Sequence, residues 1–303
     1  MHWFRAVLAK KWARMLISLL LLLGIGYQLY AWDPALRWPR AEPLWALCAL
    51  LLLPLNLGAE ARKLQQAYRT MGIFTGFGSA VRAVLGSATA AFLTPNRLGE
   101  IPARLAWLPA SARARGLHAL ALERLSQLSA TLFAAAPALL WASPFSSPTL
   151  SGGLALGCIL LGLGILWPFV GRLPIRLPGR WQAWYPVRIS HWALLGVLAW
   201  AGLRYAIFSL QYLLLLWAFG VSLPTGLLLA GISLTYAAKS VVPSIALAEL
   251  GIREAAALSV FGVLGAPAAP ILAATLLLFT LNLVLPALLG CGPSLRWIWA
   301  RAS

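Results

Sequence analysis

Two stretches of the 303-residue chain set an acid and a base one helical turn apart behind a proline. They are "PNRLGEIPAR", with Glu100 and Arg104 after Pro95, and "PSIALAELGIRE", with Glu249, Arg253 and Glu254 after Pro243. A third, "ALERLSQLS", puts Glu123 beside Arg124 inside an apolar run. Guanidinium forks match the oxygens of a phosphate, and carboxylates orient such forks or take up an ammonium. In apolar surroundings, these residue types can shelter an anionic or zwitterionic headgroup with no covalent step. The acid-x-x-x-base spacing is not specific by itself. Seven acids and 24 bases in 303 residues give roughly half a match by chance, and Asp33 with Arg37 supplies another. The position of the two pairs, in corresponding segments of the chain, is what distinguishes them.

The elements that hold these residues are membrane spans. The sequence is 61% hydrophobic and only 10% charged, with a mean hydropathy of +0.83. A soluble domain carries roughly 25% charge, so soluble classes are excluded. The net charge of +17 would suggest nucleic acid on a soluble protein. Here it points to anionic lipid headgroups and to orientation, so the expected partners are membrane lipids, with no nucleic acid. Many of the fifteen tryptophans, Trp107, Trp141 and Trp167 among them, lie near the ends of apolar runs, where indoles anchor at the interface. Cys48, Cys158 and Cys291 are far apart, and the three histidines are scattered, so no metal, disulfide framework or cofactor is expected.

Apolar spans are predicted at 15–32, 43–61, 117–142, 150–170, 190–219 and 268–290, with two less hydrophobic stretches at 72–94 and 224–264. The first span follows a basic N-tail and lacks a small-x-small cleavage site, so it is expected to stay uncleaved. The two weak stretches mix Gly, Pro, Ser, Thr and charge among apolar residues, a composition suited to broken or re-entrant helices. Seventeen of the 24 Lys and Arg residues fall in the N-tail, at 62–69, at 97–115, at 172–188 and in the C-tail. Short cytoplasmic loops are rich in positive charge, so both termini are expected in the cytoplasm. The first weak stretch then returns to its side of origin, as a re-entrant pair or as two full spans, and the second dips from the opposite face.

The expected architecture is an all-α polytopic bundle of about six full spans plus two broken hairpins in an inverted repeat. Residues 1–42 hold the first span and outer loop, and 43–142 the first repeat with its broken hairpin at 72–115. Residues 150–188 connect the halves, and 190–290 form the second repeat with its hairpin at 224–264.

Five of the seven acids (Glu60, Glu100, Glu123, Glu249 and Glu254) sit at segment ends or within apolar stretches. A charge at the bilayer centre costs about 2.5–3.5 kcal/mol on insertion scales, so such charges pair and face cavities. Neighbours on a helix do not face each other, so Glu123 and Arg124 each need a partner from elsewhere, and the two broken elements supply candidates. Simple salt bridges closing helix ends would also explain single pairs, with Pro95 and Gly99 as turn punctuation. Arg82, Arg204 and Lys239 can snorkel to an interface, although Lys239 lies in the second broken element. In "NLGAEARKLQ", a basic interface flank explains most of Glu60, Arg62 and Lys63, but Asn56 lies inside the apolar run.

The order "NLGAEARKLQQAYRTMG", "FLTPNRLGEIPARLAWL", "ALERLSQL" and "SVVPSIALAELGIREAAALSVFG" resembles the flippase-like transmembrane domain of the lysylphosphatidylglycerol synthase family, over nearly the whole chain after the first span. In that family, fused proteins join a membrane domain that moves aminoacylated phosphatidylglycerol between leaflets to a soluble domain that makes it. The resemblance implies lipid handling in a bacterial-type inner membrane and, with no soluble synthase domain in this sequence, no aminoacyl transfer. By position, the family's polar motif residues fall on Asn56, Lys63, Pro95, Gly99, Glu100, Arg104, Glu123, Arg124, Gly251, Arg253 and Glu254. Where many members have a glycine pair before the last motif, this chain reads "ALAELG", which adds Glu249.

The expected function is therefore translocation of an anionic or aminoacylated phospholipid, or of a lipid-linked intermediate. The expected substrate-binding set is Glu100, Arg104, Glu123, Arg124, Glu249, Arg253, Glu254, Lys239, Asn56 and Lys63, with Pro95, Gly99, Pro243 and Gly251 as hinges. The alternatives are a membrane-embedded transferase with Glu123 or Glu100 as general base, and an accessory subunit of an envelope pathway. The transferase lacks an Asp-rich metal motif and a convincing nucleophile. An oligomer is compatible with the sequence.

Overall fold

The computed structural model describes residues 39–92, 94, 99–142, 147–170, 188–241 and 248–291, with backbone only at 241 and 248–250. These residues build α1 (Pro43–Leu51), α2 (Leu53–Thr70), α3 (Phe77–Phe92), α4 (Glu100–Ala106) and α5 (Arg113–Ala142), with a 3-10 turn at Ala110–Ala112 before α5. They continue with α6 (Pro148–Val170), α7 (His191–Ala218), α8 (Thr225–Val241), α9 (Ala248–Val263) and α10 (Ala268–Phe279). A π-helical segment, Thr280–Val284, carries α10 on to Cys291. The protein is an all-helical polytopic bundle.

Five helical segments are long and apolar enough to cross a bilayer: Pro43–Thr70, Ala110–Ala142, Pro148–Val170, His191–Ala218 and Ala268–Cys291. They correspond to five of the six predicted spans. The predicted span at 15–32, together with Pro95 and Pro243, lies outside the described residues. The two weakly hydrophobic stretches are helical but short. At 1.5 Å per residue, α3 and α9 (16 residues each) reach about 24 Å and α8 (17 residues) about 25 Å. All three fall short of the ~30 Å hydrocarbon core. The single-residue break between α1 and α2 at Leu52 precedes Pro54, whose missing N–H interrupts the ladder. Gly72 (φ 68°) and Gly220 (φ 77°) end α2 and α7 in the left-handed conformation that favours glycine.

The long α5 is the hub, packing on α2, α6, α7 and α8, while α7 also lies against α1, α2 and α10. One apolar core joins Leu64 and Tyr68 of α2 to Ala83 of α3 and Leu120 and Leu122 of α5. A second joins Tyr212 and Leu215 of α7 to Ile232, Phe261, Ile271 and Leu278. Leu160, Leu161, Leu163 and Trp167 of α6 and Trp192 of α7 point outward and exposed, as a lipid-facing surface does. Because lipid is as apolar as leucine, helices in a membrane gain little from burying leucine and associate through close packing at small residues. Ser129 Oγ of α5 donates to Gly162 O of α6 at 2.8 Å, with the Phe133 ring lying against the same glycine.

A close backbone-to-backbone approach couples α3 to the end of α10. Thr89 Oγ1 donates to Ala287 O at 2.7 Å, and a Cβ on Gly290 would lie 1.9 Å from the backbone oxygen of Leu85. Backbone cannot yield as a side chain can, so Gly290→Ala is expected to push the two helices apart at a cost of about 1–3 kcal/mol. The readout is the thermal midpoint of the purified protein in detergent, expected to fall by several degrees. An unchanged midpoint would refute the close α3–α10 contact.

Candidate functional site

Arg104, on the short helix α4, is only 2% exposed and is surrounded by carboxylates from three helices. Its Nη2 lies 2.5 Å from Oε1 of Glu60 on α2 and 2.5 Å from Oε1 of Glu100 at the start of α4. Its Nη1 donates to Oε2 of Glu123 on α5 at 3.0 Å, and its Nε to Ser87 Oγ of α3 at 3.2 Å. A planar fork with five donors satisfies this number of acceptors where a lysine could not.

The carboxylates are held on their far sides by other cations. Lys63, 1% exposed, places Nζ 2.7 Å from Glu123 Oε1 and donates to Gln127 Oε1 at 2.9 Å. Arg124 Nη2 donates to Glu100 Oε2 at 3.0 Å. Arg204 of α7 pairs through Nε with Glu60 Oε2 and donates from Nη1 to Gln127 Oε1 at 3.3 Å. All six oxygens of Glu60, Glu100 and Glu123 thus face a cationic nitrogen. Three carboxylates against Lys63, Arg104, Arg124 and Arg204 leave a formal charge of +1. The surplus is graded outward: the Arg104 side chain is 2% exposed, that of Arg204 25% and that of Arg124 40%.

The local sequence explains why these groups meet. Glu60 and Lys63 are three apart on α2, and Glu123 and Gln127 four apart on α5, so each pair shares a helix face. Glu60 is ten residues before the end of α2 at Thr70, and Glu123 ten residues after the start of α5 at Arg113. Both therefore sit about 15 Å from one end of their helices, a distance comparable to half of a ~30 Å hydrocarbon core. Ahead of α4, Thr94 Oγ1 donates to Ala90 O and accepts from Gly99 N at 2.8 Å. A Cβ on Gly99 would come within 2.6 Å of Thr94 Oγ1, so the turn that presents Glu100 requires glycine for space.

A polar seam leads away from this cluster. One turn before Glu60, Asn56 Nδ2 donates to Gln211 Oε1 of α7 at 3.2 Å and to Asn282 Oδ1 of α10 at 2.5 Å. Asn282 lies in the π-helical segment, and Pro286, four residues on, lacks the N–H that an α-helical Asn282 carbonyl would accept. Asn56 Oδ1 is buried without a hydrogen-bond partner beside a cavity of about 30 Å³, which Glu60, Arg104, Arg204 and Asn282 also line.

One turn before Asn282 on the same helix, the Phe279 ring lies 5.0 Å beneath the Arg253 guanidinium. Arg253, Glu254 and Lys239 form a second group. Arg253 Nε donates to Glu254 Oε1 at 3.1 Å, and Lys239 acts electrostatically on Glu254. Tyr212, Tyr236, Phe208 and Phe261 stack edge-on beside them. Glu254 Oε2 and Tyr236 Oη are buried with no hydrogen-bond partner.

Of the residues singled out in the sequence, Lys63, Glu100, Arg104, Glu123 and Arg124 converge on one cluster, and Asn56 adjoins it. Arg253 pairs with its neighbour Glu254 rather than with Glu60, Glu100 or Glu123. Glu249 and Gly251 lie in the first turn of α9, where the Glu249 side chain is not described. Two expectations are corrected. Arg204 does not snorkel to an interface but closes the cluster through Glu60. Glu60 and Lys63 are not an interface flank, since both are buried. Ser87, Gln127, Gln211 and Asn282 were not foreseen. A signal for Gln127 exists in the sequence, since it follows Glu123 by one turn, and one for the inward turn of Arg204 does too, since it lies within an apolar helix, where an ionisable residue marks function by default.

Long apolar helices around a buried ionic cluster define a multi-pass membrane protein with a polar interior. The chain belongs to the family described as Lysylphosphatidylglycerol synthase TM region, which matches residues 11–290. This membership ties it to membrane-lipid handling. A comparison with curated proteins gives no match.

Removing one partner of a buried ion pair costs about 3–5 kcal/mol, whereas exposed pairs contribute about 0–1 kcal/mol. Arg104→Met is therefore expected to lower unfolding stability in detergent by several kcal/mol, and Arg124→Ala by about 1 kcal/mol or less. Equal losses in the two variants would show that Arg104 is not the hub.

Proposed function

We propose that this protein translocates a phospholipid or lipid-linked headgroup between the leaflets of a bacterial-type inner membrane, with both termini cytoplasmic. The observation that carries this reading is the ionic cluster about halfway along two spans, with surplus positive charge on its two partly exposed arginines. A lipid phosphate entering from the side would meet Arg124 and Arg204 first, and their forks suit its oxygens. Arg104 and Lys63 would hold Glu60, Glu100 and Glu123 in place while those carboxylates exchange partners. Glu100, released from Arg124, would be the acceptor for an ammonium on a zwitterionic or aminoacylated headgroup, and the acyl tails would stay in the bilayer. No bond to the lipid is made or broken.

The cavity of about 30 Å³ beside the cluster has room for about one water. The conformation described is thus closed, and passage needs the elements around α4 to move. Gly99 stands at one end of α4, and Pro95 beyond it is assigned the same hinge role. In the second half, Pro243 and Gly251 are the matching hinges, and Glu249, Arg253, Glu254 and Lys239 the matching polar set. The two sets would be halves of an inverted repeat that dips from opposite faces. The run from Glu60 through Asn56 and Asn282 to Phe279 and Arg253 is a physical connection between them. The pairing of both oxygens of Glu100 and of Glu123 with cations supports translocation over a transferase, because a general base needs a free lone pair directed at the substrate.

The test is headgroup flipping in reconstituted liposomes carrying a trace of fluorescent phosphatidylglycerol, read as the fraction of probe accessible to a membrane-impermeant reductant. Arg124→Ala is expected to slow flipping at least tenfold while leaving the thermal midpoint nearly unchanged. Wild-type flipping in that variant would remove Arg124 from the path. Chemical turnover of the lipid by the purified protein would instead favour the transferase.

A further inference from the structure

A cavity of about 400 Å³ lies apart from the ionic cluster, where the turn after α2 meets the turn before α5. This is within the range of ligand sites, roughly 300–1,000 Å³. Its walls bring together Thr75 and Ser79 on one side with Trp107, Ser111 and Arg115 on the other. We propose that this cavity binds the phosphate-bearing headgroup of an anionic phospholipid at the membrane surface, as a site separate from the translocation cluster and independent of whether the protein flips lipid.

The electrostatics at this end of the bundle are one-sided. No acidic residue occurs between Glu60 and Glu100 or between Glu100 and Glu123, whereas Arg62, Arg69, Arg82, Arg113 and Arg115 all do. None of these five joins an ion pair among the described residues. Arg82 Nη2 donates to Ser79 Oγ at 3.4 Å, which puts a guanidinium on a lining hydroxyl. Thr75 Oγ1 and Arg113 Nε are buried with no hydrogen-bond partner. Donors and positive charge thus accumulate with neutral acceptors and no carboxylate partner among the described residues, which is the environment a phosphate completes.

The wall is also built in advance. Gln65 Nε2 donates to Thr75 O at 2.7 Å, Gln65 Oε1 accepts from Arg62 Nη1 at 3.0 Å, and Ile73 N donates to Tyr68 O at 2.9 Å. Arg115 Nη1 reaches the carbonyls of Met71 and Gly72 at 3.5 Å each. Little ordering is left to be done on binding. At the rim, Phe74 is 85% exposed, and Phe77 lies 4.2 Å beneath the Arg62 guanidinium. Aromatic rings beside cations at the end of a membrane helix match the headgroup–glycerol zone of a bilayer. That location favours a lipid over a soluble phosphate. Trp107, three residues after Arg104, connects this cavity to the helix that carries the hub of the cluster.

The experiment is titration of the full chain in detergent with dioctanoyl phosphatidylglycerol, read by microscale thermophoresis, with dioctanoyl phosphatidylcholine and inorganic phosphate as separate arms. The phosphatidylglycerol is expected to bind, with Arg115→Gln and Ser79→Leu each weakening it at least fivefold and Arg115→Lys restoring most of the loss from Arg115→Gln. Phosphatidylcholine is expected to bind at least fivefold more weakly than phosphatidylglycerol. Unchanged phosphatidylglycerol affinity in both loss variants would overturn the site. Competition by inorganic phosphate at the same concentration as the lipid would overturn its assignment to a lipid. Because the readout is binding, it fails or succeeds separately from the flipping assay.

Discussion

The first half of the bundle is arranged around the need to keep five buried charges, Glu60, Lys63, Glu100, Arg104 and Glu123, inside an apolar interior. At about 3 kcal/mol each on insertion scales, leaving them unpaired would cost on the order of 15 kcal/mol, at or above the whole stability of a typical domain. They persist because each carboxylate oxygen is matched to a nitrogen, and because one planar guanidinium, Arg104, serves three acids and a hydroxyl from four helices. The positions of α2, α3, α4 and α5 relative to one another follow from this fan of bonds. A shift of any one of these helices by an ångström or two would strand a charge.

The same arrangement can also be opened. A fully paired network in a low-dielectric interior is rigid, yet each pair can be exchanged if an incoming group brings equivalent hydrogen bonds. A phosphate is such a group for an arginine, and an ammonium is such a group for a carboxylate. The gradient of exposure from Arg104 to Arg204 to Arg124 sets the order in which partners become available. The outer arginines can change partners at small cost, while the inner pair keeps the acids from being stranded. Both turns that hold the basic-face cavity adjoin this framework, one at the end of α2 and the other after α4.

The bundle was legible because hydrocarbon imposes a one-dimensional rule, the length of an apolar run, and five of the six predicted spans match helices. The weak stretches were legible as departures from ordinary spans, since Gly, Pro and polar residues lower hydropathy in a way any window detects, but that their helices fall short of the hydrocarbon thickness came only with the structure. The convergence of Lys63, Glu100, Arg104, Glu123 and Arg124 could be anticipated from types alone, because acids are rare in this chain and an intramembrane charge needs a partner. Glu60 with Lys63 reads equally as an interface flank and Arg204 as a snorkelling cation, because spacing along one helix does not say whether a charged side chain reaches outward or turns toward partners on other helices. The grouping of Arg253 with Glu254 rather than with the first cluster is likewise a matter of helix placement.

By itself, the sequence determined that this chain is a polytopic membrane protein of the lipid-handling class, that its basic residues are concentrated in a few segments between apolar runs, and which few polar residues are too costly to be incidental. These follow from local energetics, residue by residue, against a ~30 Å apolar slab. Only the tertiary structure decided who pairs with whom. Glu60 meets Arg104 across 44 residues and Arg204 across 144, and Asn56 meets Asn282 across 226. Such partnerships depend on helix rotation and crossing, which are set by the packing of small residues such as Gly162 and Gly290 and are not encoded in any single stretch.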